Sequence, residues 1–209
     1  MKLKGLYAVT PDLADTADLL HRTGRTLEGG AVLVQYRNKT AGAARRREQA
    51  LALLGLCRQH GVPLVINDDL ALALDIGADG AHLGREDGDL AAARAALGPG
   101  KLLGVSCYDE MERAREAGRI GADYIAFGSF FASPTKPAAV RAPLTLPGEA
   151  RAELGLPVCA IGGITLQNAP QLIAAGVDLL AVISDLFEAP DMRARAISYT
   201  RLFSERVIS

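Results

Sequence analysis

Cysteine is scarce: Cys57, Cys107 and Cys159 are the only ones in 209 residues, odd in number and far apart. That spacing writes neither a zinc ligand pair nor a disulfide framework, so they read as reduced, packed thiols. An excess of either charge is also missing, since 23 Lys and Arg stand against 24 Asp and Glu for a net charge of −1. With no basic field, nucleic-acid and anionic-lipid binding are not expected, and any anion must be held locally. No apolar run approaches the roughly 20 residues of a membrane span. Met1-Lys2-Leu3-Lys4-Gly5 passes straight into strand-like Leu6-Tyr7-Ala8-Val9 without the apolar stretch of a leader. A soluble, cytoplasmic enzyme or binding protein is expected, with oligomeric state left open, a homo-oligomer included. His21, His60 and His82 are isolated, and no Ser-His-Asp or Cys-His set can be assembled. His82 lies within an apolar run and reads as a hydrogen-bonded core histidine, while His21 and His60 fall on helical stretches at the surface.

What the chain does have is alternation. Its 49% hydrophobic content is enough for a sizeable core in one domain spanning 1–209. Short β-rich runs alternate with Ala-, Leu- and Arg-rich segments about every 20 to 30 residues, the pattern of repeated βα units on a parallel sheet. Strands are expected at 5–10, 31–36, 63–67, 80–83, 102–106, 124–127, 158–161 and 179–183. Their near-continuous apolar character suits strands covered on both faces. Helices are expected over 41–60, 91–97, 110–119, 166–175 and 191–203, with Gly61, Gly77, Gly98, Gly121 and Gly176 as left-handed stops. Pro137, Pro143 and Pro147 mark a looser stretch after the sixth strand, read as an active-site loop. The repeat count predicts an α/β fold of the (β/α)8 TIM-barrel type. A doubly wound open sheet is the alternative, and no Gly-x-Gly-x-x-Gly follows the first strand.

In such a barrel the carboxyl ends of all strands meet on one face, and there the sequence turns polar. Val32-Leu33-Val34 leads to Gln35, Arg37 and Lys39; Leu64-Val65-Ile66 ends in Asn67-Asp68-Asp69; Ala81-His82-Leu83-Gly84 leads to Asp87. Leu102-Leu103-Gly104-Val105 ends in Ser106, and Tyr124-Ile125-Ala126-Phe127 leads to Ser133-Pro134-Thr135-Lys136. In extended backbone Arg37 and Lys39 point the same way and could grip one phosphate or diphosphate, with Lys136 as a third cation. Asn67, Asp68, Asp69 and Asp87 are hard oxygen donors of the kind Mg²⁺ takes, usually one or two carboxylates beside substrate phosphates and water. Asp69 suits the N-cap of the following helix better than Asp68 does, and Asp87 could equally cap the helix after Gly88. Gly162-Gly163 and Ile183-Ser184 occupy the last two loops, where barrels commonly bind phosphate through main-chain N–H groups. Cys107 follows Ser106 but has no activating base and is not read as a nucleophile.

Taken in order, these motifs resemble the thiamine phosphate synthase family over almost the whole chain, from Gly5-Leu6-Tyr7-Ala8-Val9-Thr10 to Val182-Ile183-Ser184. The resemblance implies a transferase that joins a pyrimidinylmethyl diphosphate to a thiazole phosphate, giving thiamine phosphate and diphosphate. It implies that Arg37, Lys39, Asn67 and Lys136 hold the diphosphate, with Mg²⁺ on Asp68 and Asp87. Gln35 and Ser106 would contact the pyrimidine, and Thr135, Gly163, Ile183 and Ser184 would receive the thiazole phosphate. Arg37, Lys39, Lys136 and Ser106 are the candidates for the chemistry itself. The sequence departs from the family pattern where Ser106-Cys107-Tyr108 lacks a histidine two residues after the serine. Arg85 replaces a glutamine, and Pro134 enters the phosphate loop. Two alternatives stand beside this reading: a thiazole tautomerase-like isomerase, whose histidine base would fall near Cys107 or Tyr108, and a non-catalytic barrel that binds a thiamine precursor.

Overall fold

A computed structural model describes residues 3–132 and 141–204. The strands are β1 (Gly5–Val9), β2 (Leu33–Tyr36), β3 (Leu64–Asn67), β4 (Gly80–Leu83), β5 (Leu102–Tyr108), β6 (Tyr124–Phe127), β7 (Val158–Ile161) and β8 (Leu179–Val182). They are all parallel and close in sequence order into a barrel, β1 pairing with β8 through Gly5 to Leu179 and Ala8 to Val182. The helices between them are α1 (Thr16–Glu28), α2 (Ala43–Gln59), α3 (Leu70–Asp75), α4 (Leu90–Leu97), α5 (Met111–Arg119), α6 (Leu146–Leu154) and α7 (Ala169–Ala174). After β8 come a single turn, α8 (Ser184–Phe187), and the longer α9 (Met192–Ser204). This is the (β/α)8 TIM barrel the sequence predicts.

The apolar strands divide into two sets because successive side chains point to opposite faces. Leu6, Ala8, Val34, Leu64, Ile66, Ala81, Leu83, Leu103 and Val105 face the helices and form the larger core. Tyr7, Val9, Leu33, Val65, Tyr124, Ala126, Cys159, Leu179 and Ala181 form a second cluster inside the barrel. Continuing that inward parity to the carboxyl ends reaches Gln35, Asn67 and Ser106, which sets the polar mouth, with Ile161 as its apolar neighbour.

Several boundaries differ from expectation for local reasons. β5 runs on to Tyr108 because its pairing with β6 shifts register between Ser106 and Tyr108. α7 begins at Ala169 rather than near Leu166, since the Asn168 side chain accepts from the Thr165 N–H at 2.8 Å and donates to the Gly163 carbonyl at 2.9 Å, holding a turn. Pro147 belongs to the first turn of α6, where a missing N–H costs nothing, whereas Pro143 lies outside any helix or strand just before it. Pro137 lies outside the described residues.

At the amino-terminal end, Asp79, Asp123 and Asp178 repeat one device. Each follows a glycine of positive φ by two residues. Each carboxylate accepts a strand N–H, from Leu64 at 2.9 Å, Leu103 at 2.7 Å and Val158 at 3.2 Å respectively. These bonds tie neighbouring strands and leave the opposite end free for chemistry.

Candidate active site at the carboxyl end of the barrel

Gln35, Arg37, Lys39, Asn67, Asp68, Asp87, Ser106, Gly163, Ile183 and Ser184 all lie at or just beyond the carboxyl ends of their strands. Thr135 and Lys136 fall outside the described residues. Beyond β2 the chain is held by Asp12, whose Oδ1 accepts from the Arg37 guanidinium at 2.9 Å and from the Lys39 N–H at 3.0 Å. Thr10 completes the clasp by bonding both the N–H and the carbonyl of Arg37, at 2.9 and 3.0 Å. Two neighbours from the end of β1 therefore aim the cationic pair. Sequence reasoning gave neither residue this role, since Thr10 stands at the end of the expected first strand and Asp12 in the stretch after it.

Lys39 Nζ lies 3.2 Å from Asp68 Oδ2. Asp68 has φ of 63°, a left-handed backbone uncommon outside glycine. Its carboxyl meets that of Asp87, whose other tie is to the Gly84 N–H at 2.6 Å. Partial burial, and then the adjacent Asp68, push the Asp87 carboxyl above its ordinary value, although the Gly84 N–H and Lys39 oppose the shift. Asp87 is not a helix cap: Asp89 takes that part for α4, accepting from Ala92 at 2.7 Å. Asp69 caps α3, accepting from Leu72 at 2.9 Å, as its place in the sequence suggests. Lys39, Asn67 and Asp68 border a cleft of about 230 Å³ together with Arg46 and Asp69.

Two crowded carboxylates beside a lysine suit a divalent cation shared with a polyphosphate. Among the described residues no three of His, Cys, Asp and Glu come together, so an all-protein metal cage is not built here. The acid pair fits the sparser ligation of Mg²⁺, in which phosphate oxygens and water complete the shell.

Ser106 is placed by Arg113, whose guanidinium donates to the Ser106 carbonyl at 2.7 Å and to the Gly84 carbonyl at 2.8 Å. Its hydroxyl lies 2.8 Å from His82 Nε2. His82 is a core histidine, as read from sequence, and burial lowers its pKa to about 4, so it is neutral near pH 7. Cys107 faces outward from the barrel, and burial pushes its thiol up to about 12, which rules out a thiolate nucleophile. Two of the three departures meet each other: Arg85 stacks 5.0 Å above the Tyr108 ring and pairs with Glu110, while the Tyr108 hydroxyl accepts from the Arg85 N–H at 3.2 Å.

On the opposite side of the mouth, Gly162 and Gly163 follow β7. A Cβ on Gly163, at φ of 63°, would come within 2.3 Å of the Ala132 carbonyl oxygen, so glycine lets this loop lie on the segment after β6. Ile183 is the N-cap residue of α8 and Ser184 its first residue.

Residues 6–186 match the sequence pattern of a family described as thiamine monophosphate synthase. The chain belongs to that family. It is 59% identical over 203 residues to the thiamine-phosphate synthase of Azoarcus sp. (strain BH72), covering 97% of this chain and 98% of the relative. It is 58% identical over 202 residues to that of Aromatoleum aromaticum, with 97% of each covered. Among solved structures, a thiamine phosphate pyrophosphorylase from Pyrococcus furiosus superposes with a TM-score of 0.85 at 32% identity, covering 99% of this chain and 98% of the other. Membership in the thiamine monophosphate synthase family thus extends through every strand that contributes to the mouth. Among the described residues no helix is long and apolar enough to cross a membrane.

Proposed function

We propose that this chain is a thiamine phosphate synthase, a transferase that joins a 4-amino-2-methyl-5-pyrimidinylmethyl diphosphate to a thiazole phosphate and releases diphosphate. The observation that carries it is the meeting of Lys39, Asp68 and Asp87 at the mouth that also holds Gln35 and Ser106. One cation and two crowded acids are what a leaving diphosphate and its counter-ion require. Gln35 and Ser106 orient the pyrimidine ring. Arg37, Lys39, Asn67 and Lys136 bind the diphosphate and stabilise the charge that grows on it as the carbon–oxygen bond breaks. Asp68 and Asp87 would hold Mg²⁺, which supplies Lewis-acid neutralisation of the leaving group. The electron-rich aminopyrimidine stabilises the methylene cation left behind, and the thiazole nitrogen captures it. Thr135, Gly163, Ile183 and Ser184 hold the thiazole phosphate for that capture.

No protein nucleophile enters this scheme, in keeping with a Cys107 thiol held protonated and a His82 engaged on both ring nitrogens. The same engagement disfavours a proton-shifting isomerase, which needs a free base. The deciding experiment is a coupled assay for diphosphate with both heterocyclic substrates, with and without Mg²⁺. Release that requires both substrates and stops on chelation is expected. Turnover indifferent to a chelator, or binding without product, would overturn the reading.

A further inference from the structure

A file of side chains crosses the inside of the barrel, apart from the diphosphate corner. Gln35 Nε2 donates to the Tyr7 hydroxyl at 2.5 Å, and the Tyr7 and Tyr124 hydroxyls are 2.7 Å apart. The Tyr124 hydroxyl lies 3.0 Å from His82 Nδ1, and His82 Nε2 lies 2.8 Å from Ser106 Oγ. The two ends are the residues assigned above to the pyrimidine. The three links between them are buried, Tyr7 and Tyr124 almost completely.

The supply of hydrogens gives this file one direction. An amide nitrogen only donates, so the Tyr7 oxygen accepts from Gln35; among the described residues its own buried hydrogen has only the Tyr124 oxygen to go to, and accepting from Tyr124 as well would leave that hydrogen unpaired. Tyr124, having accepted, spends its own proton on His82 Nδ1, which is therefore bare. A neutral imidazole with a bare Nδ1 carries its hydrogen on Nε2, and that hydrogen goes to Ser106. The Ser106 proton is then left for a group beyond the file, and at the other end the Gln35 carbonyl oxygen is left as an acceptor. A second observation shows that the barrel makes room for the middle link. A Cβ on Gly104 would come 2.1 Å from Tyr124 Cζ and 2.6 Å from His82 Nδ1, so the Tyr124–His82 contact exists because that inward position is glycine.

We infer that Tyr7 and Tyr124 are positioning residues that hold His82 as its Nε2–H tautomer. Ser106 thereby presents a donor and Gln35 an acceptor, selecting a ring with an acceptor nitrogen beside an exocyclic amine. The inference rests on the reading of Gln35 and Ser106 as pyrimidine contacts. An oxo analogue, whose ring nitrogen carries hydrogen and whose exocyclic atom accepts, meets the wrong group at both ends and is rejected, because mismatched buried polar groups are left unpaired.

Two measurements on the full chain test this. In ¹⁵N-histidine-labelled protein, with the His82 signals identified by their loss in His82→Gln, a protonated Nε2 and an unprotonated Nδ1 are expected at neutral pH. Calorimetric titration with the amino and oxo pyrimidine diphosphates is expected to show a wild-type preference for the amine that narrows by about 10- to 100-fold in Tyr124→Phe. A merely structural part for Tyr124 would weaken both ligands alike and leave their ratio unchanged. An Nδ1–H tautomer in the wild type overturns the inference, and so does an unaltered ratio in Tyr124→Phe; should that variant fail to fold, the wild-type spectrum decides. Absence of diphosphate release alongside an intact preference for the amine would sink the proposed reaction and leave this inference standing.

Discussion

At Asp68 backbone and charge are both pressed: a non-glycine residue at φ of 63°, with Lys39 on one side and Asp87 on the other. Side chains other than glycine are held in that region only where the surroundings over-determine them, and such positions cluster at functional sites. Asp68→Gly should therefore keep or raise stability, by up to about 1 kcal/mol in unfolding free energy, while abolishing Mg²⁺-dependent diphosphate release. Thermal melts run beside the diphosphate assay would expose a loss of stability, which contradicts this. Asp87→Asn removes one member of the acid pair and should weaken Mg²⁺ binding about 10-fold or more in calorimetric titration. An unchanged affinity would place the ion elsewhere. For Lys39→Ala, losing a cation aimed at the developing charge should cut kcat by about 10²-fold or more, with little effect on melting temperature because the side chain is half exposed.

Among elements, the loops of the two barrel ends do opposite work, and the amino-terminal turns can be tested apart from the mouth. Asp178 accepts from the Val158 N–H and pairs with Arg151 at 2.7 Å, and its side chain is only 10% exposed. Asp178→Ala should lower unfolding free energy by about 1–3 kcal/mol in urea titration and leave both substrate KM values where they were. A change in KM without a change in stability would show the two ends to be coupled. The strands were legible because buried parallel strands read as short apolar runs, and the mouth was legible because those runs end abruptly in amides, acids and cations. Tyr7 and Tyr124 were hidden by the same rule: inside an apolar strand a tyrosine looks like core, and only pairing across the barrel shows that their hydroxyls face each other. Asp12 was hidden because the contact that matters joins the loop after β1 to the end of β2, 25 residues away. The start of α7 was misread because a side-chain turn at Thr165–Asn168 competes with the helix, and helix-forming composition does not reveal that competition.

For the molecule as a whole, near-neutral charge conceals a strongly uneven interior, and pH should reveal it. His82 has its pKa lowered from 6.5 to about 4 by burial. The folded chain then binds fewer protons at this site than the unfolded chain between those values, so stability is full above pH 6.5 and falls as pH drops toward 4. The loss from this one group reaches about 3 kcal/mol. Denaturant titrations at pH 7 and pH 4.5 should show the wild type losing more stability than His82→Gln, and equal losses would mean that the imidazole charges freely in the native state. Ring closure carries a further consequence. Gly5 to Ala8 complete their hydrogen bonds with Leu179 to Val182, so one edge of β1 stays unpaired until β8, more than 170 residues later, has been made. Until that pairing forms, the free edges of β1 and β8 are open templates for other chains, so a seamless cylinder is protected only once its last seam has closed.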